Sequence, residues 1–171
     1  MKPPVLVRHA TEADAATILA LRSRVFEETD YMLWEPSEFK DTVADEAARI
    51  NRFNASTNSR FLVATLAEDS VGFCGVMGGA VNRLKHSASL AIGVLQSHWS
   101  IGVGYALLKE SIAESARLGI TRLELTVHTT NLRAINLYLR TGFEVEGVRR
   151  RSLRVSGRYV DEYLMSRLHE A

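Results

Sequence analysis

The sequence predicts an α/β fold with a mixed, mostly antiparallel central sheet of about seven strands and helices on both faces. The predicted elements run in the order strand, two helices, three strands, helix, strand, helix, two strands. This order sets a strand–helix–strand unit within an otherwise antiparallel sheet. Hydrophobic residues make up 46% of the 171, enough for one sizeable core. We therefore expect a single domain over residues 1–171.

The first part of the chain predicts a strand and two helices separated by a loop. A short strand over 5–7 precedes a helix beginning at Thr11, which forms a capping-box pattern with Asp14. A loop follows over 27–36, because charged and aromatic residues alternate there without a period. The second helix is expected to begin after Ser37. The apolar positions at helical spacing are Ile18, Leu21 and Val25 in the first helix and Phe39, Val43, Ala47 and Ile50 in the second.

Three strands are expected next, as an antiparallel meander. They are rich in apolar and β-branched residues, and short polar turns separate them. Several glycines loosen the middle strand. The predicted strands cover residues 60–66, 71–81 and 86–95, with turns at 67–70 and 82–85.

The second half predicts two helices and three further strands. An amphipathic helix over 102–118 ends at Gly119, and a strand over 121–128 alternates cleanly between apolar and polar residues. A second helix over 131–140 ends at Gly142. The two final strands are expected over 143–155 and 158–168, with a turn at 156–157. The predicted apolar face of the first helix consists of Tyr105, Leu108, Ile112 and Ala116.

Composition argues against several functional classes. The formal charge of +1, from 21 basic and 20 acidic residues, is unlike that of a dedicated nucleic-acid binder. Cys74 is the one cysteine, so an internal disulfide cannot form, and it is interpreted as a small buried residue. The five histidines show no metal-ligand spacing, so no metal is expected. No signal peptide or membrane-spanning stretch is recognisable, and we expect a cytoplasmic protein.

A strand-to-helix junction carries the first functional motif, Gly102-Val103-Gly104. Glycines at such a turn let the backbone approach a ligand closely. The first helical turn adds unpaired N–H groups and the positive end of the helix dipole, which together suit a pyrophosphate. In isolation, a Gly-x-Gly is more often a plain tight turn. The chain has neither the Gly-Lys-Ser/Thr of a P-loop nor the third glycine of a dinucleotide-binding motif.

Further positions turn this weak motif into a specific pattern, which resembles the GNAT superfamily of N-acetyltransferases. Members show Gln/Arg-x-x-Gly-x-Gly/Ala, then Asn, Ala-x-x-x-Tyr and Gly-Phe. The matching positions are Gly102, Gly104, Asn131, Ala134, Tyr138 and Gly142-Phe143. The segments 146–147 and 157–165 are similar to the branch containing ribosomal-protein, small-amine and amino-acid acetyltransferases. The resemblance covers about residues 61–168, with Trp99 where the family usually has Gln or Arg.

The resemblance implies an enzyme that transfers the acetyl group of acetyl-CoA to a primary amine, by direct attack in a ternary complex. The amine would belong to a small amine, an amino acid or a protein N-terminus, and a homodimer is also implied. The fourth strand would pair with the pantetheine arm, an N–H near Val94 would donate to the developing oxyanion, and the helix start would hold the pyrophosphate. Asn131 would contact the pantetheine arm, and Arg133 a coenzyme phosphate. The implied coenzyme-binding residues are Ile92, Gly93, Val94, Ser100, Ile101, Gly102, Val103, Gly104, Tyr105, Asn131, Arg133, Asn136 and Tyr138.

The resemblance also implies that Tyr138 is the general acid that protonates the departing thiolate. A phenol with a pKa of about 10 can give its proton to a thiolate of comparable basicity. Spacing alone favours simple packing of Tyr138 with Ala134 and Ile135 on one helix face. For the general base the candidates are Glu124 on the fifth strand and His128 at its end. For each of these residues, the sequence alone favours a solvated or structural role over that of the base.

An arginine cluster, Arg149-Arg150-Arg151 with Arg154, lies on a predicted late strand. Alternation puts Arg149 and Arg151 on one face, which we interpret as solvated, with contact to an acidic partner as the second interpretation. RNA binding through this cluster is disfavoured by the near-neutral charge. A coenzyme A-binding sensor or scaffold without turnover stays open as an alternative function, supported by Trp99 and by a fourth strand without a carboxylate.

Overall fold

The computed structural model describes residues 4–169, so residues 1–3 and 170–171 lie outside the description. Within that range the chain forms seven strands and four helices, and the predicted order is confirmed. The elements are β1 Val5–His9, α1 Ala15–Glu28, α2 Val43–Ala55, β2 Arg60–Leu66, β3 Asp69–Gly78, β4 Ser87–Val94, α3 Val103–Arg117, β5 Arg122–His128, α4 Leu132–Arg140, β6 Glu144–Val155 and β7 Arg158–Leu168.

The strands form one mixed sheet in the order β1-β2-β3-β4-β5-β7-β6. The β4–β5 pair is parallel, and the other neighbouring pairs are antiparallel. Alternate residues of the central strands point to opposite faces. In β2, Phe61 and Val63 pack in the cluster formed with α1 and α2, whereas Leu62 and Ala64 pack in the cluster formed with α3. The predicted α/β class, with helices on both faces, is therefore confirmed.

The α2 helix begins later in the chain than predicted. Thr42 is its N-cap, donating its backbone N–H to the Asp45 carboxylate at 2.8 Å, while the Asp45 N–H donates to the Thr42 hydroxyl at 3.2 Å. This reciprocal capping box fixes the helix start. The prediction that Ser37 caps α2 and that Phe39 belongs to it is wrong. Phe39 packs edge-on against Phe26 of α1, with 4.8 Å between ring centroids, so its apolar side chain holds the loop.

The buried face of α3 also differs from the prediction. Leu108 is buried as expected, but Tyr105 and Ala116 are exposed. The buried positions are Val103, Leu107, Leu108, Ser111 and Ser115. Serine is polar in a sequence pattern, yet the Ser115 hydroxyl donates to the Ser111 carbonyl at 2.6 Å and is satisfied within the helix. The sequence pattern therefore missed two small residues that let the helix approach the sheet.

The edge strand β6 is irregular. Its register against β7 shifts between Arg149 and Leu153, and Arg151 in that interval has a φ of +50°. A bulge breaks the alternation of side chains, because it places extra residues opposite one partner. The prediction that regular alternation puts Arg149 and Arg151 on one face is therefore wrong, whereas both residues are exposed to solvent as expected. Arg149 lies directly opposite Glu162 of β7.

Residues 4–169 contain neither a membrane-spanning helix nor a cluster of metal ligands. None of the helices there combines the length and the apolar character that crossing a bilayer requires. In the same residues, no three His, Cys, Asp or Glu side chains come together as a group that could hold a metal ion.

Candidate active site

The sheet divides between β4 and β5. These strands pair in parallel through Ser87–Ser89 and Arg122–Glu124, and within residues 4–169 no further pair joins them. Beyond that point β4 stays with β3 as far as Val94, and β5 stays with β7 as far as His128. The two strands diverge and leave a cleft of about 980 Å³ between them.

The open edge of β4 presents backbone groups to this cleft. The Leu95 amide donates to the Val71 carbonyl of β3 at 3.0 Å. Successive residues of a strand direct their backbone groups to opposite sides, so the N–H and C=O groups of Leu90, Ile92 and Val94 face away from β3, into the cleft. A ligand that carries amide groups can pair with this edge as an added strand would.

The first turn of α3 lies at the mouth of the cleft. Gly102 is the N-cap and has a φ of +101°, a conformation that glycine adopts without steric cost. The Ala106 amide donates to the Gly102 carbonyl at 2.9 Å, which is the first bond of the helix. The amides of Val103, Gly104 and Tyr105 consequently have no helical acceptor. With the helix dipole, they form a site suited to an anion.

Trp99 ties this turn to the strand. Its indole N–H donates to the Val94 carbonyl at 2.8 Å, so this side chain takes the first available acceptor on the open edge of β4. The guanidinium of Arg133 lies over the indole, 3.4 Å from the ring centroid, and so makes a cation–π contact. The departure at Trp99 therefore has a structural explanation: the indole fixes the end of β4, and it positions Arg133 beside the cleft.

Most of the predicted site residues meet in this cleft. The lining includes Ile92, Gly93, Val94, Ser100, Gly102, Gly104, Tyr105, His128, Asn131, Arg133, Asn136 and Tyr138. Of the described residues, three predicted ones lie outside the lining. The side chain of Val103 is fully buried in the core, so this residue can offer a ligand only its backbone amide, and Ile101 has an exposed side chain that does not line the cleft. Glu124, predicted as a candidate base, pairs with Arg122 at 3.2 Å beside the paired part of β4 and β5.

The α4 helix brings two predicted residues to the cleft. Asn131 is its N-cap, and the side-chain oxygen accepts from the Ala134 amide at 3.2 Å. This bond leaves the amide NH₂ of Asn131 as the group that can donate to a ligand. Tyr138 lies two turns further on, 6% exposed, with its ring against Phe143. Tyr138 therefore packs in the core, as its spacing predicts. It also lines the cleft, as the general acid implied by the resemblance would have to.

Burial controls the protonation of Tyr138. Desolvation raises the pKa of its phenol, and the neighbouring Cys74 adds to the rise. The phenol stays protonated throughout the neutral range, as a proton donor must. Desolvation also raises the pKa of a thiol in the same surroundings, so the donor and a neighbouring thiolate shift in the same direction.

His128 ends β5, and its side chain lies on the face of the sheet opposite to Tyr138. It is 5% exposed, its Nε2 is buried without a hydrogen-bond partner among residues 4–169, and the Tyr31 ring packs edge-on against it at 5.5 Å. Burial lowers the pKa of its imidazole, against the opposing effects of Glu162 and Asp30. At neutral pH the imidazole is therefore uncharged and can accept a proton.

Glu162 and Arg149 are lining residues that the sequence did not single out for the site. Glu162 lies opposite His128 in the β5–β7 register and is 6% exposed. Arg149, on β6, approaches the Glu162 carboxylate at 3.4 Å. The pairing of β5 with β7 brings His128 to Glu162, and the pairing of β6 with β7 brings Arg149 to the same carboxylate. A periodic pattern within one strand carries no signal of this kind.

The loop between α1 and α2 covers this face of the cleft, and contacts anchor it at both ends. At the start, the Gln96 amide donates to the Glu28 carboxylate at 2.7 Å, which joins the end of α1 to the turn before α3. At the far end, buried Arg22 pairs with fully buried Glu46 and approaches Asp41 at 3.4 Å. The residues of the covering loop that line the cleft are Thr29, Tyr31, Met32 and Leu33.

The cleft therefore joins two chemically different arms through the gap between β4 and β5. One arm has the open strand edge, the unpaired amides of α3 and the protonated phenol of Tyr138. The other arm has a neutral imidazole, a buried carboxylate and an apolar wall. Such an arrangement can hold an extended anionic carrier in one arm and a small basic acceptor in the other, with proton acceptance and proton donation on opposite sides.

Comparison with known proteins identifies the family of this chain. Residues 23–143 match the model of the acetyltransferase (GNAT) family. An N-alpha-acetyltransferase, RimI, of Mycobacterium tuberculosis is 33% identical over 96% of this chain and 92% of its own length. An L-amino acid N-acetyltransferase, AaaT, of Escherichia coli is 38% identical over 63% of this chain and 67% of its own.

The fold has a solved counterpart of similar length. The crystal structure of an acetyltransferase of the GNAT family from Streptococcus pneumoniae superimposes with a TM-score of 0.94 at 32% identity. The superposition covers 97% of this chain and all of the other.

Proposed function

Because the chain belongs to the acetyltransferase (GNAT) family, we propose that it acetylates the primary amine of an amino acid, a small amine or a protein N-terminus. It is an N-acetyltransferase with acetyl-CoA as cosubstrate, and the proposal adds the class of acceptor and the residues that act. The observation that carries the proposal is the junction of the two arms at the gap between β4 and β5.

The arm formed by the open edge of β4, the α3 amides and Tyr138 is the cofactor arm, and it fits acetyl-CoA. When bound, acetyl-CoA supplies a thioester carbonyl carbon that a neutral amine can attack. The Val94 N–H and the Ile92 carbonyl, which face the cleft, would pair with the pantetheine amides, and the α3 amides around Gly104 would bind the pyrophosphate. The Ile92 N–H, which faces the cleft further along β4 from α3, would donate to the carbonyl oxygen as negative charge develops there. Arg133, held over Trp99, would contact a phosphate at the rim.

In this proposal one arm of the cleft supplies a proton acceptor and the other supplies a proton donor. The acceptor must lose a proton because an ammonium group has no lone pair to attack with. We propose His128 as the proton acceptor, with Glu162 beside it to attract the cationic amine and stabilise the imidazolium. Tyr138, from the opposite arm, would donate a proton to the departing sulfur. Glu124 has no place in this proposal, because it lies outside the cleft and pairs with Arg122.

The activity is expected to fall in acid as His128 becomes protonated. Burial places the imidazole pKa below its ordinary value of 6.5, so the base is available at neutral pH and is lost as the pH falls through that lower pKa. In the His128→Gln variant, kcat/KM should fall by about 100-fold and lose this acid limb. The measurement is a pH profile of kcat/KM for the wild-type protein and for the variant, with kcat/KM calculated on the concentration of neutral amine. A variant that keeps the limb would contradict the assignment.

An acetylation screen tests the proposed function. Acetyl-CoA is incubated with amino acids, polyamines and peptides with free N-termini, and released thiol is measured. Release that depends on an added amine is the expected result. Binding of acetyl-CoA without release for every amine would favour a coenzyme A-binding sensor instead.

The cellular setting and assembly belong to the same proposal. We propose a cytoplasmic protein, which the free buried thiol of Cys74 supports because reducing compartments keep thiols free. A homodimer is supported by the edge strand β6, whose Val145 and Val148 are about half exposed. We also propose that residues 1–171 form one domain that acts on amines rather than on nucleic acid.

A further inference from the structure

We propose that Arg149 binds the free carboxylate of the acceptor, so that the preferred acceptor is a free α-amino acid with an apolar side chain rather than a peptide N-terminus. This inference rests on the proposed function, because it concerns the acceptor arm of the same cleft, the arm that contains His128, Glu162 and the apolar wall. It assigns a specificity-determining residue and narrows the substrate class.

Three charged or titratable side chains form one row across the acceptor face. His128 of β5 lies opposite Glu162 of β7, and Glu162 lies opposite Arg149 of β6. Residues directly opposite each other in a sheet project from the same face, and neighbouring strands are about 4.8 Å apart. All three residues line the cleft. The row therefore presents a proton acceptor, an anion and a cation in sequence, at the spacing of adjacent strands.

An α-amino acid carries the complementary charges on adjacent bonds. Its ammonium group would lie between His128 and Glu162, and its carboxylate would lie against Arg149. Arg149 can receive it, because its ionic partner within residues 4–169 is Glu162 at 3.4 Å and its side chain is 56% exposed. A guanidinium has five N–H donors in a planar fork that matches a carboxylate. The single contact with Glu162 leaves other donors of this fork available to a second carboxylate.

The remainder of the arm is apolar. Val25 of α1, Met32 and Leu33 of the covering loop, and Leu153 of β6 line this side of the cleft. An apolar side chain of the acceptor would remove this surface from water, which favours binding. The wall thus selects among amino acids, whereas the charged row selects for the free α-carboxylate.

A peptide N-terminus fits the row less well. In a peptide, the group next to the α-carbon is a neutral amide, which cannot form an ion pair with Arg149. With a peptide, Arg149 would keep only its contact with Glu162. Loss of a charged hydrogen-bond partner costs about 1.5–3 kcal/mol, which corresponds to roughly 10- to 100-fold in kcat/KM.

The test compares L-methionine with L-methioninamide and with a tripeptide that begins with methionine. The wild-type protein should prefer the free amino acid by about 10- to 100-fold in kcat/KM, calculated on the neutral amine. In Arg149→Gln this preference should disappear, through a higher KM for methionine and a nearly unchanged KM for methioninamide. Arg149→Lys should restore part of the preference, because it keeps the charge without the fork. Arg150→Gln is the matched control, since Arg150 is exposed on the same strand and outside the cleft, and it should match the wild type.

The outcomes separate the two proposals. If no amine is acetylated by the wild-type protein, the proposed function fails. If amines are acetylated but the amide or the tripeptide is used as well as methionine, the proposed function stands and the inference about Arg149 is overturned. An unchanged preference in Arg149→Gln would overturn it as well.

Discussion

Replacing Tyr138 with phenylalanine is expected to lower kcat by about 100- to 1,000-fold while acetyl-CoA still binds. The phenol is the protonated group of the cofactor arm that sequence and structure both bring to the cleft. Without its proton the sulfur must depart as a thiolate in apolar surroundings, where desolvation disfavours the charged form. The ring itself packs against Phe143 and is retained in the variant, so the fold should be kept. Stopped-flow or steady-state thiol release and acetyl-CoA titration measure the two quantities.

The control for this variant is Tyr159→Phe. Tyr159 is 63% exposed near the start of β7 and lies outside the cleft, so the same loss of a hydroxyl should leave kcat unchanged. A Tyr138→Phe enzyme with wild-type kcat would remove the proton-donor assignment. A variant with lost acetyl-CoA binding would show instead that the phenol acts in binding.

Replacing Gly102 with alanine is expected to weaken acetyl-CoA binding by about 10-fold, or about 1.4 kcal/mol. At φ +101° an added Cβ meets no atom within 4 Å, so the cost is not a clash with a neighbour. The cost is backbone strain, since L-residues adopt this region only at about 1–3 kcal/mol. The turn should change its backbone conformation to relieve this strain. The N–H groups of Val103, Gly104 and Tyr105 should then no longer point toward one common position. Isothermal titration with acetyl-CoA measures the effect.

Gly147→Ala is the matched control for this change. An added Cβ at Gly147 also meets nothing within 4 Å, but the backbone there does not have the left-handed φ that Gly102 has. The two variants add the same methyl group and differ in conformation and in place. Equal affinities in both variants and the wild type would show that the turn at Gly102 does not hold the carrier.

The order of elements was predictable because each element carries its own periodic signal. The clean alternation of Leu123, Leu125 and Val127 identified β5, and these residues are buried as expected. The errors arose where local chemistry outweighed the pattern. Phe39 has the apolar character of a helix face but packs in a loop against Phe26, and the capping box at Thr42 decides where the helix starts.

The cofactor arm was predictable from sequence, and the acceptor arm was not. The cofactor arm is built from short contiguous segments, so a motif such as Gly102-x-Gly104 places its amides directly. The acceptor arm depends on the pairing of β5, β7 and β6, which brings His128, Glu162 and Arg149 together from distant parts of the chain. A bulge in β6 then breaks the alternation that predicts a common face for Arg149 and Arg151. Register of this kind is set by three-dimensional packing and not by spacing within one strand.

The most direct test is a crystal structure of the protein soaked with acetyl-CoA. We expect the pyrophosphate oxygens within hydrogen-bonding distance of the first-turn amides of α3, the pantetheine arm along Ile92 and Val94, and the sulfur within reach of the Tyr138 hydroxyl. Density for the carrier elsewhere, or a sulfur remote from Tyr138 with the acetyl group facing away from the arm of His128, would contradict the account.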